Sequence, residues 1–302
     1  MLVVAALGGN ALLERRQPLT AEVQRANVRV AAKALAEVVR AGHRLVVTHG
    51  NGPQVGLLAL QGASFRPDEA YPLDVLGAET EGMIGYLIEQ ELENALGQDC
   101  SVATLLTQVI VDPNDPAFKT PTKFIGPVYD REQAEARAAA AGWSIAADGT
   151  KWRRVVASPK PLEIPDAGTI RLLLDHGVIV ICAGGGGIPV MRRADGSLIG
   201  VEAVVDKDAA SALLASLIGA EALLLLTDVD GVFDGWSTPQ QVLIRHLSVA
   251  EARSRTDPAG SMGPKVEAAA RFVSNGGKIA GIGKLDEALA MLTGNAGTII
   301  SA

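Results

Sequence analysis

The sequence predicts an α/β protein on a mainly parallel sheet, from how its apolar runs end and what separates them. Three strand-like runs pass straight into glycine-rich turns. Leu2–Leu7 leads into Gly8-Gly9-Asn10, residues 45–47 into Thr48-His49-Gly50-Asn51-Gly52-Pro53, and residues 178–183 into Gly184-Gly185-Gly186-Gly187-Ile188-Pro189. Helical patterns lie between strands, and crossovers of that length join parallel strands buried on both faces. Composition agrees, since 48% of the 302 residues are hydrophobic and 33 are glycine. Such a chain forms one large core or two lobes on a shared sheet.

The elements follow in order. Thr20 suits an N-cap, and Val23, Val30, Ala31, Ala34, Leu35 and Val38 recur at helical spacing up to Gly42. A strand over 44–48 comes next, then a helix near 77–96 striped with Met83, Ile84, Leu87, Ile88 and Leu92, then a strand over 102–111. Later come a helix near 167–176, the strand over 178–183, a helix over 207–219 and a buried strand over 222–227. A helix over 264–275, a strand over 278–282, a helix over 286–292 and a strand over 298–301 close the pattern. No repeat or linker divides it. Residues 1–302 read as a single domain, with an N-lobe to about 205 and a C-lobe over about 206–302.

Residues 112–165 differ in character, with Pro113, Pro116, Pro121, Pro127, Pro159, Pro161 and Pro165. Proline removes a ladder donor, so this stretch reads as an inserted arm rather than central sheet. It holds a short charged helix over 131–141 and a β-like run near 153–157. Inserted segments often serve as lids; a structural appendage is the other reading.

Charge and motifs exclude several functions. A net charge of −7 and an aromatic content of 4% disfavour a nucleic-acid partner. The pairs Arg153-Arg154 and Arg192-Arg193 read as solvated surface. Cys100 and Cys182 read as buried reduced thiols, and four histidines without HExxH or CxxC spacing offer no protein-held metal. The first basic residue is Arg15, and the apolar stretch 208–228 reads as a helix and a strand rather than a membrane span. A cytoplasmic location is the expectation. No P-loop motif and no Gly-x-Ser-x-Gly elbow is present. Residues 50–56 resemble a dinucleotide loop only loosely, for want of the acidic residue after a following strand.

The positive clues are glycines and lysines. A strand that delivers a glycine turn to a helix N-terminus presents free N–H donors, which suits anions. Lys207, in Asp206-Lys207-Asp208, and Lys265, in Gly260-Ser261-Met262-Gly263-Pro264-Lys265, both stand at predicted helix starts. A surface lysine paired to its neighbours explains Lys207 alone equally well. Together with three glycine turns, two cations flanking a transferred phosphoryl group explain more, because that chemistry needs positioning and charge neutralisation.

These segments, with Asp112-Pro113-Asn114-Asp115-Pro116-Ala117-Phe118, Gly200-Val201-Glu202-Ala203-Val204-Val205-Asp206-Lys207-Asp208 and Leu226-Thr227-Asp228-Val229-Asp230, resemble the carbamate kinases of the amino acid kinase family. They occur in the family's order across nearly the whole chain. The resemblance implies a three-layer αβα fold with an open, mainly parallel eight-stranded sheet, a protruding subdomain and a homodimer. It implies reversible conversion of ATP and carbamate to ADP and carbamoyl phosphate, working toward ATP synthesis, with Mg²⁺ on the nucleotide phosphates. Lys207 and Lys265 would then stabilise the transferred group and Asp208 would orient both. Gly8, Gly9, Asn10, Gly50, Asn51, Gly52, Gly185 and Gly186 would hold carbamoyl phosphate. Thr227, Asp228, Met262 and Gly263, with Lys265, would line the nucleotide site, placing substrate on the N-lobe and nucleotide on the C-lobe.

By the same resemblance Lys123 is the lysine that the arm brings over the substrate. Taken alone it reads as solvent-exposed. Phe124, Val128 and Ala157 depart from the family pattern, all in or beside the arm. His49 reads as a partner of its own loop's backbone rather than a catalyst. Two other readings stand beside this one: a related kinase with another small acyl or phosphate acceptor, and a nucleotide- or carbamoyl-phosphate-binding regulator without turnover.

Overall fold

A computed structural model describes residues 1–13, 17–65, 71–97, 100–255 and 262–302, without the side chains of Asn10 and Ala11. Its centre is an eight-stranded sheet in the order His246–Ser248, Thr298–Ser301, Ile279–Lys284, Ala222–Thr227, Leu2–Leu7, Arg44–His49, Ile179–Ile181, Val102–Thr104. The last six of these run parallel, and the first two oppose them through an antiparallel pairing of Ile279–Lys284 with Thr298–Ser301. The three-layer, mainly parallel sheet expected from the sequence is the one observed.

The middle strand shows why these segments read as unbroken apolar runs. Leu2, Val4 and Ala6 face one core, packed with Ile170, Leu214 and Phe272 from helices on that side. Val3, Ala5 and Leu7 face the other, packed with Leu35, Ile88 and Met291. Successive strand residues point to opposite faces, so a strand covered on both sides must be apolar throughout. Each buried leucine or valine stabilises the fold by about 1.5–3 kcal/mol relative to exposure. Helix Ala21–Arg40 starts as expected, with the Thr20 hydroxyl accepting the Val23 N–H.

Three differences from the sequence reading bear on the site. The apolar run 102–111 is two strands: Val102–Thr104 stays in the central sheet, and Gln108–Val111 enters a second one. That four-stranded sheet runs Leu198–Gly200, Ile188–Arg192, Gln108–Val111, Pro161–Glu163. Hydrophobicity alone cannot mark where a buried chain changes sheets. Next, the third glycine turn leads into strand Ile188–Arg192 rather than a helix. Finally, Gly52–Phe65 is a helix whose glycines and Pro53 look like loop. Proline suits a first turn, where its missing N–H would have had no partner.

Residues 123–156 build their own three-stranded sheet, Lys123–Tyr129, Lys151–Val156 and Ser144–Asp148, beside helix Arg131–Ala141. Ile125 and Val156 pack with Val55, Leu73 and Leu76 in a small separate core. Both cysteines are free; Cys182 is buried, whereas Cys100 is only half-buried. Among the described residues no helix is long and apolar enough to cross a membrane.

Candidate active site

Parallel strands place their C-terminal ends on one edge of the sheet, which is where ligands collect in open α/β folds. Leu2–Leu7 and Arg44–His49 are adjacent there, so the first two glycine turns abut. The Gly50 N–H donates to the Leu7 carbonyl at 3.0 Å, and the Gly8 N–H to the Leu226 carbonyl at 3.0 Å. A Cβ on Gly50 would lie 3.4 Å from the Lys207 side chain. The third turn closes against the second and against Val205. Gly185 (φ +67) and Gly186 (φ +98) adopt backbone that only glycine takes readily. A side chain there would meet Asn51 at 2.1 Å or the Val205 carbonyl at 2.3 Å.

Asp208 stands where these turns meet helix Lys207–Leu217. Its Oδ1 accepts from Lys207 Nζ and its Oδ2 from Lys265 Nζ, both at 2.9 Å. Asp208 is 3% exposed and Lys265 4%. Burial alone would raise the Asp208 carboxyl, but the two ammonium charges outweigh it and hold it below its ordinary value. Burial, then the charge of Lys207, lowers the Lys265 ammonium, so Lys265 holds its proton less firmly than an ordinary lysine. One carboxylate thus fixes two cations in a water-poor site.

Asp206 is a site residue that the sequence reading did not single out. Its Oδ1 caps the helix by accepting the N–H groups of Asp208 and Ala209, and its Oδ2 accepts from Lys123 Nζ at 2.8 Å. Burial opposes ionisation of Asp206, yet Lys123 and the capping N–H groups bring its carboxyl down to about 2. An acid directly before a helix is an N-cap signature, so that half of its role was legible. The bridge to Lys123 was not. Lys123 belongs to the first strand of the arm, and Arg154 of the arm donates to Glu202 Oε1 at 2.9 Å. Glu202 Oε2 accepts the N–H of Leu73 at 2.8 Å.

The remaining candidates take varied positions. Thr227 and Asp228 stand at the end of Ala222–Thr227 beside the Gly8 turn, the Thr227 hydroxyl donating to Asp228 Oδ1 at 3.1 Å. Met262 and Gly263 open helix Met262–Ser274, which carries Lys265 one turn later. Gly9 and Asn10 start the short helix Gly9–Leu12, and Gly52 opens the helix after the second turn. Gly260 and Ser261 lie outside the described residues. Asn51 donates from Nδ2 to the Thr80 hydroxyl at 2.8 Å. His49 is 1% exposed, donates from Nδ1 to the Gly50 carbonyl at 3.1 Å, and is pushed down by burial to about 4. It is a neutral ring at neutral pH, holding its own turn.

The donor set does not fit a protein-held metal. Among the described residues no cluster of three or more His, Cys, Asp or Glu side chains could hold one. Asp208 and Asp206 are already engaged by lysines.

The sequence model of the amino acid kinase family matches residues 1–282 of the chain. The chain belongs to the amino acid kinase family. Within it, this amino acid kinase stands with the carbamate kinases. It is 57% identical to a carbamate kinase of Rhizobium meliloti (strain 1021), over 100% of this chain and 93% of the relative. A carbamate kinase of Escherichia coli (strain K12) is 52% identical over 99% of each chain. Among solved structures, a carbamate kinase from Giardia lamblia bound to AMP-PNP superposes with a TM-score of 0.91 at 39% identity, covering 99% of this chain and 98% of its own.

Proposed function

We propose that this amino acid kinase is a carbamate kinase that transfers a phosphoryl group reversibly between ATP and carbamate, giving ADP and carbamoyl phosphate. The observation that carries the reading is buried Asp208 holding the ammonium groups of buried Lys265 and half-buried Lys207 where three glycine turns converge. Carbamate is already an anion, so its oxygen attacks the γ-phosphorus without a general base. The bond from phosphorus to the bridging oxygen breaks, and its electron pair stays on ADP. No proton moves. Charge spreads over the transferred group and the leaving oxygen, and Lys207 and Lys265 neutralise it from positions that need no reorganisation.

The other roles follow from position. Gly8, Gly9, Asn10, Gly50, Asn51, Gly52, Gly185 and Gly186 hold the oxygens of carbamoyl phosphate, chiefly with N–H donors. Thr227, Asp228, Met262 and Gly263 line the nucleotide site. The residues of the site leave magnesium to the nucleotide phosphates, so Mg²⁺ enters as part of the substrate. Lys123 comes from the arm over carbamoyl phosphate, exchanging its partner Asp206 for the substrate anion. Carbamoyl phosphate is a mixed anhydride with high phosphoryl-transfer potential, which favours the direction of ATP synthesis. A homodimer and a place in arginine metabolism, with purine or cyanate breakdown as the other pathways, rest on family resemblance, and a cytoplasmic setting completes the reading.

The test is a coupled assay of ATP formation from Mg²⁺, ADP and carbamoyl phosphate, run beside acetyl phosphate. Carbamoyl phosphate should support turnover far better. Equal rates with both donors would point to a different acceptor. Tight nucleotide binding with no turnover would point to a regulator.

A further inference from the structure

Glu81 has no task in the phosphoryl transfer described above, yet it is 1% exposed, in helix Leu73–Leu96. Its Oε2 accepts the backbone N–H of Thr107 at 2.8 Å, while its Oε1 makes no hydrogen bond of normal geometry. Thr107 brackets the third glycine turn. Its hydroxyl accepts the Ala183 N–H at 2.9 Å before the turn, and its carbonyl accepts the Ile188 N–H at 2.8 Å after it. The same hydroxyl donates to the Leu105 carbonyl at 3.1 Å. Only the Thr107 N–H is then left over, and Glu81 takes it.

The turn needs such external support. Ala183 adopts φ +50, a left-handed conformation that alanine rarely visits, so its shape is imposed by its surroundings. A Cβ on Gly184 would lie 2.4 Å from the His49 ring and 2.9 Å from Glu81 Cγ, so the turn sits between those two side chains. Thr80, next to Glu81, holds Asn51 of the second turn. One stretch of helix therefore references two of the three turns to each other.

We propose that Glu81 is a positioning residue that fixes the Gly184–Gly187 turn through Thr107, and that it works as a neutral acid. The inference rests on the reading of that turn as part of the carbamoyl phosphate site. The titratable groups around Glu81 are Asp166, Cys182 and His49. Asp166, whose Oδ2 accepts the Gln108 N–H at 3.0 Å, offers negative charge. The Cys182 thiol is itself pushed up by burial, and His49 is neutral. None supplies a counter-charge. Burial, reinforced by Asp166, drives the Glu81 carboxyl well above its ordinary 4.5, and the N–H groups of Thr107 and Gly184 oppose this without cancelling it. An uncharged acid also lowers the cost of burying Oε1 without a hydrogen bond of normal geometry, since a buried carboxylate lacking counter-charge is costly.

Glu81→Gln and Glu81→Ala test the idea beside the wild-type enzyme, in steady-state kinetics with ADP and carbamoyl phosphate. Glutamine reproduces a neutral acid: its carbonyl still accepts from Thr107. Glu81→Gln should stay within about threefold of wild type, whereas Glu81→Ala should raise KM for carbamoyl phosphate about tenfold and leave that for ADP unmoved. Infrared difference spectra at pH 7 should show a neutral carboxylic-acid carbonyl band in wild type that Glu81→Gln lacks. The stability that the proton confers is fully present below 4.5 and is lost as pH rises through the folded value, so thermal unfolding of wild type should fall toward alkaline pH more steeply than that of Glu81→Gln. A glutamine variant as impaired as alanine, an unmoved KM in Glu81→Ala, or no missing band would overturn the proposal. Should the alanine variant fail to fold, the glutamine kinetics and the band still decide. A wild type without turnover would remove the kinase reading instead, while band and pH dependence would still report on Glu81.

Discussion

Lys265 and Lys123 are the same side chain in opposite settings. Lys265 has a side chain 5% exposed and shares a carboxylate that is 4% exposed. Lys123 is 37% exposed and pairs with Asp206, itself 26% exposed. A desolvated pair interacts strongly and has no water to replace it, so the centre is rigid before substrate arrives. A half-exposed pair is worth little, because water and salt compete for both ends. The arm can therefore release Asp206 for a better anion at small cost, whereas the centre cannot open without large loss. On the proposed mechanism, stabilisation of the transferred group belongs to the buried pair, and capture of the substrate to the exposed one.

The sharpest way to break this contrast is at the centre. Lys207→Ala or Lys265→Ala should lower kcat at least about 100-fold, with a much smaller loss of ADP affinity. Wild-type turnover in both would sink the mechanism. Asp208→Ala should add a stability defect of about 3–5 kcal/mol, because it strands the buried Lys265 ammonium beside a second cation. Chemical denaturation of the variant checks this.

The arm should respond differently. Lys123→Ala should raise KM for carbamoyl phosphate about tenfold while that for ADP stays within about twofold. Equal changes in both constants would show that the arm does not act on the substrate. The melting temperature should barely move, in contrast to Asp208→Ala.

Acid titration sharpens the comparison further. Asp206 has its carboxyl lowered to about 2 from an ordinary 3.8, so its contribution is present above 3.8 and is lost as pH falls through about 2. Wild type should lose stability between pH 4 and 2, values set by those two carboxyl positions, more steeply than Asp206→Asn. Parallel curves would remove Asp206 from the account.

The smallest expected effect concerns His49. Burial holds its imidazolium near 4, so kcat with carbamoyl phosphate should show no acid limb around pH 6.5. A loss at alkaline pH would instead belong to Lys265, whose ammonium is lowered. A limb near 6.5 that vanishes in His49→Asn would reveal a proton transfer that the site as described does not need.

Much of the site was legible because its parts are local. Glycine after an apolar strand, and a lysine between aspartates at a helix start, are short-range patterns with direct physical meaning. Helix Gly52–Phe65 was missed because Gly52, Pro53 and Gly56 signal a turn to any local reading. Tertiary packing overrode that signal, placing Val55 in the small core under the arm. The break in the run 102–111 was hidden for a related reason. What ends the first strand is the demand of Glu81 and the glycine turn on Thr107, and those partners are 26 and 76 residues away.

By itself the sequence determined the layered α/β class, the glycine turns, the two central lysines and the aspartate beside one of them. Each follows from backbone freedom, side-chain periodicity or charge within a few residues. Only the tertiary structure decided that Lys265 and Lys207 share Asp208, that Lys123 bridges to Asp206, and that Glu81 supports the third turn. Those relations come from strand order and crossover packing, which set distances between residues far apart in the chain. Burial then decided what each group can do. Desolvation keeps Asp208 dependent on its cations, His49 neutral and Glu81 protonated, and no local pattern reports how much water a side chain will meet once the sheet has closed over it.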